Sequence, residues 1–131
     1  MIVLDTHVLI WWVSGSGRLS ARAKRAIDQS LRQGGVVAST ITVLEIATAV
    51  RRGRLELQSP LDEWLADLRA LPELHFEPVS AEIAQLAGSF EDSTPGDPAD
   101  RIIVATARTL RMKLVTSDER LRESQRILVV W

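Results

Sequence analysis

Apolar residues in this chain fall into short unbroken runs, separated by stretches in which they recur every three or four positions. Ile2-Val3-Leu4, Val36-Val37-Ala38 and residues 113–117, centred on Leu114-Val115, are runs of the first kind. Continuous rather than alternating runs predict strands buried on both faces. Residues 75–79 and 126–130 predict two more strands. The intervening periodic stretches predict helices. The first is short and covers residues 6–13. Ser20 caps the next, which Gly34-Gly35 stops. Another runs from Ser39 or Thr40 to Arg52, before Gly53. A fourth starts with Ser59 as N-cap and Pro60 in the first helical position, and ends near Leu71. Two further helices cover residues 80–88 and 98–111, with a loop at 91–96 between them. Residues 118–123 predict a short turn or helix. Strands alternating with helices predict an α/β fold, a parallel sheet of four to five strands flanked by helices on both faces.

A length of 131 residues suits one domain spanning 1–131. The absence of cysteine excludes disulfides, thiolate metal sites and cysteine nucleophiles. Asp5 and His7 interrupt the apolar opening and no basic segment precedes it, which argues against a signal peptide or membrane span and for a cytoplasmic protein. The net charge of −1 conceals an uneven distribution. Residues 1–57 carry eight Lys/Arg against four Asp/Glu, residues 58–100 one against ten, and residues 101–131 seven against three. A basic surface for nucleic acid would have to be built from the two ends of the chain.

The acids that stand out occupy costly positions. Asp5 ends the first strand and Asp118 follows another, and the carboxyl ends of parallel strands share the edge where such sheets bind ligands. Glu45 is the only charged residue in ITVLEIATAV, residues 41–50, and a carboxylate surrounded by apolar helix calls for a partner. Asp97 precedes Pro98 and serves as an N-cap, a sufficient structural role. Asp100 has no such explanation. It is one methylene short of the Glu that completes a capping box, and helical spacing puts it on one stripe with Ile103, Val104 and Ala107. Two carboxylates about 5 Å apart at an effective dielectric of ~20 repel by roughly 3 kcal/mol. No Lys or Arg is placed by sequence to sit among these four, although Arg101 adjoins Asp100. A divalent cation is the economical counter-charge, and all-oxygen ligands favour Mg²⁺ or Mn²⁺.

The segments VLDTHVLIWW, STITVLEIA, GDPADRIIVATA and KLVTSDERL, in that order, resemble the PIN-domain ribonucleases, specifically the VapC-type toxins of toxin–antitoxin pairs. The resemblance covers most of the chain. It implies a PIN-like parallel sheet flanked by helices and a metal-dependent endoribonuclease. It assigns Asp5, Glu45, Asp100 and Asp118 as metal ligands and catalytic acids, with Asp97 in a supporting position. It also implies a VapB-like antitoxin, a homodimer, and a transfer or ribosomal RNA substrate. Many relatives carry Asn where His7 stands.

Other residues are weighed against plainer roles. Thr6, Thr116 and Ser117 adjoin the acids and can hold a carboxylate or a water, or be ordinary turn hydroxyls. Arg51, Arg52 and Arg54 form the densest basic cluster, which can grip RNA phosphates or simply suit a helix C-terminus. Trp11 and Trp12 point about 100° apart on a helix, so one can face the core and the other a partner. His7 reads as a structural hydrogen-bonder. The alternatives are a Mg-dependent phosphatase, a phospho-acceptor receiver, or a catalytically silent PIN domain that binds RNA or protein. A phosphatase of the haloacid-dehalogenase type needs D-x-D after the first strand, and Asp5-Thr6-His7 departs from it. A receiver needs a late lysine following a strand, and Lys113 begins one. The G-x-G-x-x-G of a dinucleotide-binding domain is absent.

Overall fold

The computed structural model describes residues 1–94, 96–123 and 127–131. Five parallel strands form one sheet: β1 (Ile2–Leu4), β2 (Val36–Ser39), β3 (Leu74–Glu77), β4 (Lys113–Val115) and β5 (Val129–Val130), in the order β3-β2-β1-β4-β5. Seven helices join them among the described residues: α1 (Thr6–Ser14), α2 (Ala21–Arg32), α3 (Ile41–Arg51), α4 (Leu61–Arg69), α5 (Ala81–Ser89), α6 (Pro98–Leu110) and α7 (Glu119–Glu123).

The apolar runs are explained by burial from two sides. Ile2 and Leu4 join Val8, Leu9, Ile27, Leu65 and Leu68 in one core cluster. Val3, between them, faces a second cluster with Ile83, Ile103, Val104 and Leu114. Alternate residues of a strand point to opposite faces, so a strand covered on both must be apolar throughout. The α6 stripe behaves as its spacing predicts, with Ile103, Val104 and Ala107 all buried.

Strand order sets the position of the site. From β1 the chain moves outward through β2 and β3, then returns to the other side of β1 for β4 and β5. The crevice at such a reversal, outside the carboxyl ends of the strands, is the ligand position of open α/β sheets. Asp5 emerges there from β1, and Thr116 from β4.

Several boundaries differ from expectation for local reasons. The helix expected to start at Pro60 begins at Leu61, because Pro60 is extended (φ −55°, ψ 147°) and is itself the cap; Ser59 does not cap it. β3 ends at Glu77, and the Val79 N–H turns to the Thr40 hydroxyl (3.2 Å). β4 stops at Val115, before Thr116 and Ser117: the Thr116 N–H still reaches the Val130 carbonyl (3.3 Å), but the Asp118 N–H already turns back to the Thr116 hydroxyl. Of the final strand expected over 126–130, Val129–Val130 is observed, and Arg126 lies outside the described residues. Among the described residues no helix is long and apolar enough to cross a membrane.

Candidate active site

Asp5 caps α1. Its carboxylate accepts the His7 N–H at 3.1 Å through Oδ1 and a short hydrogen bond from the buried Thr116 hydroxyl through Oδ2. The same hydroxyl oxygen accepts the Asp118 N–H at 3.1 Å. Thr116 therefore ties the turn after β4 to the acid after β1, and leaves Asp5 nearly buried with a fixed orientation.

Glu45 reaches the site from α3. The Thr6 hydroxyl donates to its Oε1 at 2.6 Å, and Thr42 lies 3.0 Å from the Thr6 oxygen. A hydroxyl has one proton. With Thr6 donating to an ionised Glu45, Thr42 must donate to Thr6, and the order of the relay is set. Burial pushes the Glu45 carboxyl above its ordinary value, helped by the charges of Asp97 and Asp5, while the Thr6 bond and His7 oppose the shift.

Asp97 and Asp100 divide their work differently from the expectation. Asp97 does cap α6, accepting the Asp100 N–H at 2.8 Å. Asp100 returns the bond, accepting the Asp97 N–H through Oδ2 at 3.3 Å, so the capping box closes. The missing methylene shows only as a long, weak contact. Asp97 also does more than cap: one carboxylate oxygen each from Glu45, Asp97 and Asp100 lie within 4.8 Å of one another. Burial pushes Asp100 up to about 6, and the charges of Asp97, Asp5 and Glu45 add to it, while the backbone bond to Asp97 opposes them.

Gly96 makes this approach possible. At φ +106° it occupies backbone that side chains rarely adopt, and an added Cβ would lie 2.8 Å from the Asp100 Cβ. Gly96→Ala is expected to destabilise the protein by about 1–3 kcal/mol and to weaken Mn²⁺ binding roughly tenfold, because Asp100 must move away; this decade corresponds to ~1.4 kcal/mol. Thermal melting and calorimetric titration check both halves. Wild-type Mn²⁺ affinity in the variant would show that Asp100 does not need this position.

Asp118 sits at the edge of the group. Arg120 donates to it from Nε (3.2 Å) and Nη2 (2.8 Å), and the same Nη2 lies 4.0 Å from Asp100. These bonds hold the Asp118 carboxyl below the usual carboxylate value. A cation therefore does stand among the acids, contrary to the expectation from spacing. It is not Arg101, whose guanidinium binds the carbonyls of Phe90, Glu91 and Thr94 and fixes the loop before α6. Of the hydroxyls beside the acids, Thr6 and Thr116 each hold a carboxylate. Ser117 makes no side-chain hydrogen bond among the described residues.

The PIN-domain family profile matches residues 2–126. The chain belongs to the PIN-domain family. Across 132 aligned residues it is 34% identical to Ribonuclease VapC22 of Mycobacterium tuberculosis, covering 99% of this chain and 98% of that one. Its fold is similar to that of VapBC2 from Rickettsia felis bound to a DNA fragment from their promoter (TM-score 0.71, 14% identity, 98% and 97% of the two chains). It is also similar to FitAcB from Neisseria gonorrhoeae (TM-score 0.69, 24% identity, 98% and 96% of the two chains).

A groove of about 530 Å³ leads away from the acids of this PIN domain, and its lining includes His7, Trp11, Arg18, Glu45, Arg52 and Asp97. Arg54 also lines it, but Arg51 does not. The two tryptophans separate as the helical angle requires. Trp12 packs on the first core cluster, and Trp11 faces the groove, where its ring lies 5.8 Å from His7 and 5.9 Å from Trp131. Arg18 is 5.9 Å from the Trp11 ring. His7 is exposed and makes no side-chain hydrogen bond among the described residues, so its contact with Trp11 replaces the structural bond expected of it.

Proposed function

We propose that this chain is a metal-dependent endoribonuclease, the toxin of a toxin–antitoxin pair, acting as a single domain over residues 1–131. The observation that carries this reading is the crowding of the Glu45, Asp97 and Asp100 carboxylates within 4.8 Å, with Asp5 close enough to raise both Glu45 and Asp100. Such a set fits a hard divalent cation: the donors are all oxygen, and their mutual repulsion is what a cation relieves. Asp5, Glu45, Asp100 and Asp118 would hold Mg²⁺ or Mn²⁺, with Asp97 joining them or fixing Asp100. When bound, the metal neutralises phosphoryl oxygens and lowers the pKa of a water toward neutrality.

The protein's own part is preorganisation. Thr116 and the His7 N–H fix Asp5, the Thr42–Thr6 relay fixes Glu45, and the capping box with Gly96 fixes Asp100. Little rearrangement is then needed as charge develops on the phosphodiester. Arg52 and Arg54 line the groove and would hold the RNA backbone along it. Arg51 does not line the groove and has the lesser claim. The substrate class is transfer or ribosomal RNA, and the compartment is the cytoplasm. The apolar part of the groove lining, Ile10, Trp11, Leu44 and Leu55, suits a VapB-like antitoxin, and we expect a homodimer. Thr6 is occupied by Glu45 and His7 is no acid, so the phosphatase alternative lacks its second carboxylate after β1.

Asp5→Ala is the test. The folded variant is expected to lose metal-dependent RNA cleavage by roughly 100-fold or more, equivalent to at least ~2.7 kcal/mol of transition-state stabilisation. Undiminished cleavage, with folding confirmed by circular dichroism, would sink the assignment.

A further inference from the structure

Arg120 lies within the KLVTSDERL segment, but neither the acidic set nor the metal requirement gives it a role. It stands in the short helix α7, two positions after Asp118, and reaches back to that acid through two nitrogens. Its side chain is 63% exposed, whereas those of Asp118 and Asp100 are 24% and 21% exposed. The guanidinium thus lies over the acids from the solvent side, where a substrate must arrive. An exposed ion pair of this kind contributes little to stability. It also uses only part of the five-donor fork of an arginine, which matches phosphate as well as carboxylate.

We propose that Arg120 has two positions, one as counter-ion of Asp118 and Asp100 in the metal-free protein and one on the RNA phosphate beside the metal. The proposal rests on the endoribonuclease reading. Arg120 occupies both Asp118 oxygens, Oδ1 through Nε and Oδ2 through Nη2, so a divalent cation bound to Asp118 competes with the guanidinium for them and repels its charge. Once Asp118 turns to the cation, Arg120 loses its partner, but it remains tethered at the rim of the site. The phosphodiester oxygens are the anions that then come within its reach. Arg120 in this role neutralises charge on the substrate. When no cation is bound it also offsets the repulsion among the carboxylates. Spacing alone hides this, because a flexible side chain at i+2 can pair with its neighbour or ignore it.

The experiment compares wild type, Arg120→Ala and Arg120→Lys in three measurements. Mn²⁺ affinity by calorimetry is expected to stay equal or tighten a few-fold in Arg120→Ala, since a competitor for Asp118 is gone. Affinity for a short fluorescein-labelled single-stranded RNA is measured in EDTA and again in Ca²⁺, with the strand checked to remain intact. In EDTA the Ala variant is expected to bind like wild type. In Ca²⁺ it is expected to bind roughly tenfold more weakly, with the salt slope smaller by about one. Lys is expected to restore part of the affinity, keeping the charge without the fork. Three results would overturn the proposal: equal RNA affinity in Ca²⁺, an equal loss in both conditions, or weaker Mn²⁺ binding in Arg120→Ala. Cleavage by the wild type in Mn²⁺ tests the endoribonuclease reading separately: without it that reading fails, and with it a null result for Arg120 counts against this proposal alone.

Discussion

Asp100→Asn is expected to reduce metal-dependent RNA cleavage by about 100-fold or more, and in EDTA at pH 8 to melt at a higher temperature than wild type. The second effect follows from the sign of the Asp100 shift. Its carboxyl is pushed up to about 6 in the fold, against 3.8 ordinarily. The folded state therefore binds this proton more tightly than the unfolded chain. Stability falls as pH rises from about 4 through 6, and above that window the ionised group costs on the order of 1–3 kcal/mol. Asn carries no charge and can still accept the Asp97 N–H. The gain should fade as the pH is lowered toward 4. Adding Mn²⁺ should reverse the order, because the wild type gains a ligand that the variant holds poorly. A variant less stable than wild type in EDTA at pH 8 would show that Asp100 supports the fold through its charge.

Saturating Mn²⁺ is expected to raise the melting temperature of the wild type on the order of 10 °C at pH 8. This assumes a free concentration about 100 times the Kd, worth ~2.7 kcal/mol. At pH 5 the gain should be small. Asp100 is then mostly protonated, and Glu45, also raised by burial and by neighbouring acids, competes for protons in the same direction. Metal binding must displace those protons, so its apparent affinity rises with pH through this window. Differential scanning calorimetry at the two pH values checks it. A shift of equal size at pH 5 would place the cation away from these carboxylates.

The fold was readable because each strand carries its own signature. Ile2-Val3-Leu4 is apolar at every position, and only burial on both faces requires that. Asp5, Glu45 and Asp100 were readable as acids in places where acids are costly, and the structure brings them within electrostatic reach of one another. Thr42 left a usable signal that spacing arguments passed over. It lies three residues before Glu45, on the same helical face, where a hydroxyl relay to that acid can form. Asp97 was harder, because a cap is a complete local explanation and the second role depends on how α6 is set against α3. Gly96 and Arg120 lie inside the resembling segments, but their roles, like that of Arg18, were not readable there. Those roles depend on the loop path before α6 and on which acid or ring each long side chain turns to. Charge counting along the chain anticipated none of them.

Whether the crowded carboxylates form a metal-dependent RNA-cleaving centre is decided by cleavage of end-labelled RNA by the purified wild-type chain, first in EDTA and then with stepwise addition of Mn²⁺. The prediction is no cleavage in EDTA, with activity appearing as Mn²⁺ is added and rising in step with thermal stabilisation. Cleavage that proceeds undiminished in EDTA, or stabilisation by Mn²⁺ with no cleavage of any RNA tried, would contradict it.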